Sequence, residues 1–271
     1  MSVNKSMYLG DIGTLGSIDV VAWVHDVAVK DGYVNLILRD STGIRKFKIL
    51  SKEWAKILEG ITRESIVRIV GEVKDDILDV KNIDVIVKAP RSLPIDIRNP
   101  SAKDVEAFTK HSYLVIRSPR YVKVLKVQQW IVHYAREFLM NKGFVELLSP
   151  MISPCSDPGL RGAKKLATTL YGHPYELMSS VIMFKQASVA ALEKVFFVAR
   201  NVREEPVENL KTNRHLCEFT QIDIEWAFAS MNDVMDLAED LIIYVLSKVK
   251  EKCKDILELS LIHISEPTRP L

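Results

Sequence analysis

The sequence predicts an α+β chain in two parts: a small five-stranded barrel, then a larger part in which helices flank an antiparallel sheet. Three observations lead there. From Ile18 to Lys88 the apolar residues fall in short runs with the alternation of strands. A stretch carrying Pro90, Pro94 and Pro100 then breaks the pattern. Beyond it, helical periodicities surround two strongly apolar β-runs between Lys194 and Phe228.

With 271 residues the chain has room for two cores. Its 48% hydrophobic and 27% charged residues, with 11 Gly and 11 Pro, exclude collagen, low complexity and wholesale disorder. Lys+Arg at 37 against Asp+Glu at 35 leaves a net charge of +2, so a polyanionic partner would have to be held by a local basic surface. Cys155, Cys217 and Cys253 are too scattered for a zinc site and odd in number for a disulfide framework, which suits a reducing cytoplasm and implies no metal ligands. No apolar run approaches the roughly 18 residues of a membrane span, and the start lacks the apolar core of a signal peptide. A cytoplasmic protein without a membrane partner is expected.

Taken in order, IDVVAWVHDV, YVNLILRD and IRKFKIL read as three strands joined at Lys30-Asp31-Gly32 and Ser41-Thr42-Gly43. The helical SKEWAKILEG follows, then the strands SIVRIVGEV and LDVKNIDVIV. Five strands with one helix between the third and fourth is the order of an OB β-barrel, although other small Greek-key sheets share it. This assigns 18–89 to the barrel and 90–120 to a linker. Tyr121 to Lys142 reads as a helix with Val124, Val127, Ile131, Phe138 and Leu139 on its apolar side and Gly143 as its stop. The extended FVELLSPMISP comes next, barred by Pro150 from the centre of a regular ladder. Residues 155–174 mix glycine, proline and basic side chains and read as a mobile loop. A helix over Ser180–Leu192, a strand over Lys194–Arg203 and a strand over Cys217–Phe228 follow. The last helix starts at Ser230, where Ser230 and Asp233 have capping-box spacing, and runs to about Leu257 on Val234, Leu237, Leu241, Val245 and Val249. Residues 259–271 fit neither helix nor strand and are expected to be a tail of foreign or read-through origin.

Chemistry concentrates in Phe196–Glu225. Strand alternation puts Phe219, Gln221, Asp223 and Glu225 on one face, and Asn201, Arg203 and Glu205 share a face of the preceding strand. A plain amphipathic hairpin with solvated charges has the same pattern. The loop between the strands adds Lys211, Arg214 and His215, however, and a guanidinium that can fork phosphate oxygens beside a flat aromatic suits a nucleoside triphosphate.

The segment resembles motif 2 of the class II aminoacyl-tRNA synthetases, in which an arginine and an acidic residue end one strand and an EFTQID-type strand returns. KGFVELLSPMI, from Lys142 to Ile152, resembles motif 1, the family's dimer-interface element. The front half resembles the anticodon-binding OB domain of the aspartate, asparagine and lysine branch, through AWV at Ala22–Val24, LRD at Leu38–Asp40 and GEV at Gly71–Val73. The likeness covers about 18–258, making 121–258 a partial class II synthetase catalytic sheet with flanking helices.

That resemblance implies roles. Arg203 would hold the ATP α-phosphate and the attacking carboxylate, Glu205 the adenine amino group, Phe219 the ring, and Arg214 with His215 the γ-phosphate. Ser180 and Lys185, in SSVIMFKQ, would line the amino-acid pocket, which Asp223 completes, and an Asp at this position favours the aspartate type over the lysine type. Mg2+ would accompany ATP, and tRNA, aspartate or asparagine, and a second copy of the chain would be the partners.

Three departures qualify this. The last glycine is Gly172, so the glycine-rich motif 3 is not expected, nor the magnesium-holding residues near it, and the chain by itself should form adenylate slowly or not at all. Ile182 replaces a pocket glutamine and Arg161 a glutamate, leaving aspartate and asparagine both open. On the barrel, Asn35 and Lys46 stand where the family presents a phenylalanine and a glutamine; Tyr33, on the same face as Asn35, could stack on a base instead. The implied activity is that of an aspartate-tRNA ligase. An asparagine synthetase-like paralogue that uses the adenylate without tRNA, and a non-catalytic RNA-binding OB module, are its rivals.

Overall fold

The computed structural model describes residues 5–30, 32–100, 105–155, 162–210 and 215–261. The chain divides into two compact units, Met1–Val124 and Leu125–Leu271. Among the described residues no helix is long and apolar enough to cross a membrane.

The first unit is built on β1 (Leu15–Lys30), β2 (Tyr33–Arg39), β3 (Ile44–Ile49), helix α1 (Lys52–Glu59), β4 (Ile66–Lys74) and β5 (Ile77–Val87). The strands close into a barrel in the order β1-β2-β3-β5-β4. The long β1 pairs with both β2 and β4, and a parallel bridge from Lys48 to Ile77 shuts the circle. Strict alternation turns Val34, Leu36 and Leu38 inward from β2 and Phe47 and Ile49 from β3, against Val20, Ala22 and Val24 of β1. Leu58 of α1 and Ile61 join this core, while the Trp54 indole N–H donates to the Val80 carbonyl at 3.0 Å. Gly71 of β4 sits hard against β5: a Cβ there would lie 2.4 Å from the Asp79 carbonyl oxygen.

The stretch expected to be an extended linker is more ordered than its prolines suggest. Ile97 is fully buried, Arg98 pairs with Asp96 at 2.7 Å and Asp26 at 3.1 Å, and Thr62 Oγ1 donates to the Ala89 carbonyl. Two short helices follow, α2 (Val105–Lys110) and α3 (Ser112–Val115), and just beyond them Arg117 reaches the buried Glu64, which Arg39 also holds. Proline limits backbone conformation but does not prevent a segment from being pinned by its side chains.

In the second unit, α4 (Pro119–Asn141) begins two residues before the expected start, and Gly143, at φ 82°, ends it. Its buried side is Ala135, Phe138 and Leu139; Val124 and Ile131, expected in the apolar stripe, are exposed. The extended segment yields only β6 (Val145–Glu146) and β7 (Ile152–Ser153), broken around Pro150. Within the expected loop a hairpin forms instead, β8 (Ala167–Leu170) with β9 (His173–Leu177), turning at Tyr171-Gly172, both at positive φ. Then come α5 (Ile182–Leu192), β10 (Lys194–Val202), the single turn α6 (Val207–Leu210), β11 (Glu218–Trp226), α7 (Met231–Lys252) and α8 (Lys254–Leu261). The expected capping box of Ser230 and Asp233 is present at the start of α7, but Val234 is exposed, and the helix breaks at the buried Cys253 before α8 continues to Leu261. The rest of the suspected tail lies outside the described residues.

β10 is the middle strand of the main sheet, antiparallel to β11 and parallel to β6, so the sheet is mixed where an antiparallel one was expected. One face packs Phe196, Val198, Ile222 and Ile224 against Phe138 and Leu139 of α4 and Leu237 of α7. The other packs Val195, Phe197 and Ala199 against Val181 and Phe184 at the start of α5.

Candidate functional site

The second face of the β10–β11 ribbon carries the candidate site. Asn201 pairs with Phe219 in register, Ala199 with Gln221, Phe197 with Asp223 and Val195 with Glu225. The polar residues of β11 thus stand in a row over a floor that β10 supplies, and Arg203 lies just past the end of β10, next to Phe219.

At this end the loops converge. The Val202 N–H donates to the Met178 carbonyl and the Arg203 N–H to the Cys217 carbonyl, both at 2.8 Å, while Lys164 and Glu204 exchange two backbone hydrogen bonds. Arg203 Nε donates to the carbonyl of the fully buried Ser179 at 3.0 Å, which fixes the plane of the guanidinium and leaves its terminal groups for an anion. The guanidinium carbon sits 5.1 Å from the Phe219 ring centroid. Arg203, Glu205, His215, Leu216 and Phe219 line a shallow cleft of about 240 Å³. The Glu205 carboxylate accepts from Asn209 Nδ2 at 3.2 Å. Four of the five residues expected to hold the nucleotide are therefore together; Arg214 lies outside the described residues.

Further along the row Lys185, reaching over from α5, lies 3.0 Å from Asp223 and 3.2 Å from Glu225, its side chain largely buried. Burial pulls the Lys185 pKa down, but the hydrogen bonds and charges of the two carboxylates outweigh it and raise the value above the ordinary lysine one, so the ammonium stays protonated. The resemblance placed Lys185 and Asp223 in one pocket without pairing them, and gave Glu225 no role although β-alternation puts it on the same face. Ser180 accepts the Ile182 N–H at 3.3 Å at the start of α5.

On the barrel, the expected RNA-facing residues share one outward surface. Asn35 is opposite Lys48 and Ile37 opposite Lys46 in the β2–β3 ladder. The Lys48 ammonium sits 4.5 Å from the Tyr33 ring centroid, giving Tyr33 a cationic neighbour. A cavity of about 420 Å³ in this unit, beside Arg63, Arg91 and Asp96, contains none of the expected site residues.

A family profile described as class II tRNA synthetases (D, K and N) matches residues 104–270. An aspartate-tRNA(Asp/Asn) ligase of Archaeoglobus fulgidus is 29% identical over 265 residues, covering 93% of this chain and 60% of that one. An asparagine-tRNA ligase of Koribacter versatilis is 29% identical over 253 residues, 89% of this chain and 56% of that one. The chain thus spans about 60% of the length of the curated relatives it matches. In fold, it is similar to the asparaginyl-tRNA synthetase of Pyrococcus horikoshii complexed with asparaginyl-adenylate, with a TM-score of 0.81 at 24% identity over 95% of this chain and 61% of that one. With the profile match spanning more than half its length, the chain belongs to the class II tRNA synthetases of the D, K and N group.

Proposed function

We propose that the protein, in its complete form, activates aspartate or asparagine with ATP and transfers the product to tRNA, in the cytoplasm. The observation that carries this reading is the Arg203 guanidinium, locked by the Ser179 carbonyl and set against Phe219 in a cleft that Glu205 and His215 also line. Adenine would stack on Phe219 and donate its amino group to Glu205. Arg203 would bind both the α-phosphate and the amino-acid carboxylate; an oxygen of that carboxylate attacks phosphorus in line, the new O–P bond forms and pyrophosphate leaves. The fixed cation then faces charge that grows in the transition state and needs no reorganisation. His215, with Arg214, would meet the γ-phosphate. Lys185, with Asp223 and Ser180, would receive the amino-acid side chain.

In this reading 18–89 is an anticodon-binding OB domain, 90–120 a linker and 121–258 part of the catalytic domain. Tyr33, Asn35 and Lys46 would meet RNA, with Tyr33 stacking on a base beside Lys48. A homodimer through residues 142–152 is supported by the exposure of Leu148 and Met151. Mg2+ would enter as the companion of the ATP phosphates.

Calorimetric titration of the 271-residue chain with ATP tests the reading. Binding is expected, weakened about tenfold or more in Arg203→Ala and in Phe219→Ala, with folding checked by circular dichroism. No binding, or binding indifferent to both changes, would overturn it.

A further inference from the structure

Between the nucleotide cleft and Lys185 stands a pair of amides to which nothing above gives a role. Asn201 has no solvent exposure, and its neighbours on that face of β10 are Val195, Phe197 and Ala199. Its Nδ2 donates to Gln221 Oε1 at 2.9 Å, while its Oδ1 has no partner. A buried amide with an orphaned acceptor is a liability to folding, and an apolar residue of similar shape would serve the core at least as well. Some purpose other than stability is therefore indicated.

The hydrogen bond decides how Gln221 faces the site. With Oε1 occupied by Asn201, the Gln221 amide turns its two N–H donors outward, and Gln221 itself is exposed. Alternate residues of a strand are roughly 7 Å apart, so Gln221 stands about midway between Phe219 and Asp223. Paired donors next to the Arg203 guanidinium suit an oxygen anion and would repel an ammonium.

We propose that Asn201 is a positioning residue that aims the Gln221 amide N–H groups at the α-carboxylate of the amino acid, between Arg203 and Lys185. This rests on the synthetase reading above. An amino acid whose side chain reaches Lys185 while its carboxylate approaches the phosphate at Arg203 must pass over Gln221. The pair would then hold the reacting carboxylate, and later the acyl oxygen of the adenylate, without contributing to nucleotide binding.

The test compares two kinds of probe on the 271-residue chain: ATP, and the non-hydrolysable aspartyl and asparaginyl sulfamoyl-adenosines. Gln221→Met keeps the shape of the exposed side chain and removes its donors. Asn201→Leu keeps the volume of the buried one and frees Gln221 to rotate. Each is expected to weaken the better sulfamoyl ligand about tenfold relative to ATP, the size of one hydrogen bond to a charged or polar oxygen. The double variant should lose no more than either single one, and the thermal midpoint of Asn201→Leu should not fall. A ratio of sulfamoyl ligand to ATP that stays at the wild-type value in either variant, or fully additive losses, would overturn the proposal. If the wild-type chain binds neither probe, the synthetase reading itself fails and this inference fails with it; if it binds both, only the role of the two amides is in question. An Asn201→Leu chain that unfolds would contradict the claim that Asn201 adds no stability, leaving Gln221→Met to decide the contact.

Discussion

Asp40, at the end of β2, is the most heavily engaged carboxylate of the first unit. Its fully buried side chain accepts from Lys5 Nζ at 2.7 Å, the Leu9 N–H at 2.8 Å, the Thr42 N–H at 2.8 Å and Thr42 Oγ1 at 2.5 Å. Burial favours the neutral form, but these donors outweigh it and hold the pKa at about 2, below the ordinary 3.8. A carboxylate with a lowered folded pKa contributes stability that is complete above the unfolded value and disappears as the pH falls through the folded one. Asp40→Asn is therefore expected to cost about 2 kcal/mol near neutrality, and the gap from wild type should close between pH 4 and pH 2. Urea midpoints measured across that range check this, and a gap that stays constant would show that ionisation of Asp40 is not the source. That Lys185 and Asp223 would lie near one another followed from the family pattern, whereas the grip of Ser179 on Arg203 is a backbone carbonyl meeting a side chain across 24 residues. No residue type or spacing announces such a contact.

Strands whose alternation is enforced by a closed interior were legible almost to the residue: β2, β3, β4 and β5 lie within two residues of their expected ends. Gly71 shows how tightly that interior is set. Gly71→Ala would drive a methyl group into the Asp79 carbonyl, so β4 and β5 would have to separate. A loss of about 1–3 kcal/mol is expected, read as a lower thermal midpoint, and a midpoint unchanged from wild type would mean that the ladder gives way freely. Elements with less burial were harder to read. The β8–β9 hairpin was hidden because Pro174 lies in the middle strand of its sheet, where proline is normally excluded. Yet β7 pairs only with Glu176 and Leu177, which leaves one side of Pro174 without a ladder partner. On α4, apolar spacing marks a face fit for covering but cannot say what covers it, and so Val124 and Ile131 were placed in a core they do not join.

Each unit has its own buried cores. In the first it is the barrel interior around Leu36 and Phe47; in the second, clusters around Phe196, Phe197 and Val245. Leu36→Ala is expected to weaken amide protection by about 2–5 kcal/mol within residues 15–87, and Leu139→Ala to do so within 125–261. Hydrogen exchange resolved by peptide distinguishes this from a single cooperative block, in which either change would loosen both stretches together. The distribution of sulfur adds a practical consequence. All three cysteines fall in the second unit, with Cys155 and Cys217 exposed and Cys253 buried at the α7–α8 break. A maleimide dye on the unaltered chain would thus report on the second unit alone, from a position adjoining Arg203 at Cys217. Delayed labelling of the third thiol would clock the opening of the helical junction, and the barrel would stay dark throughout.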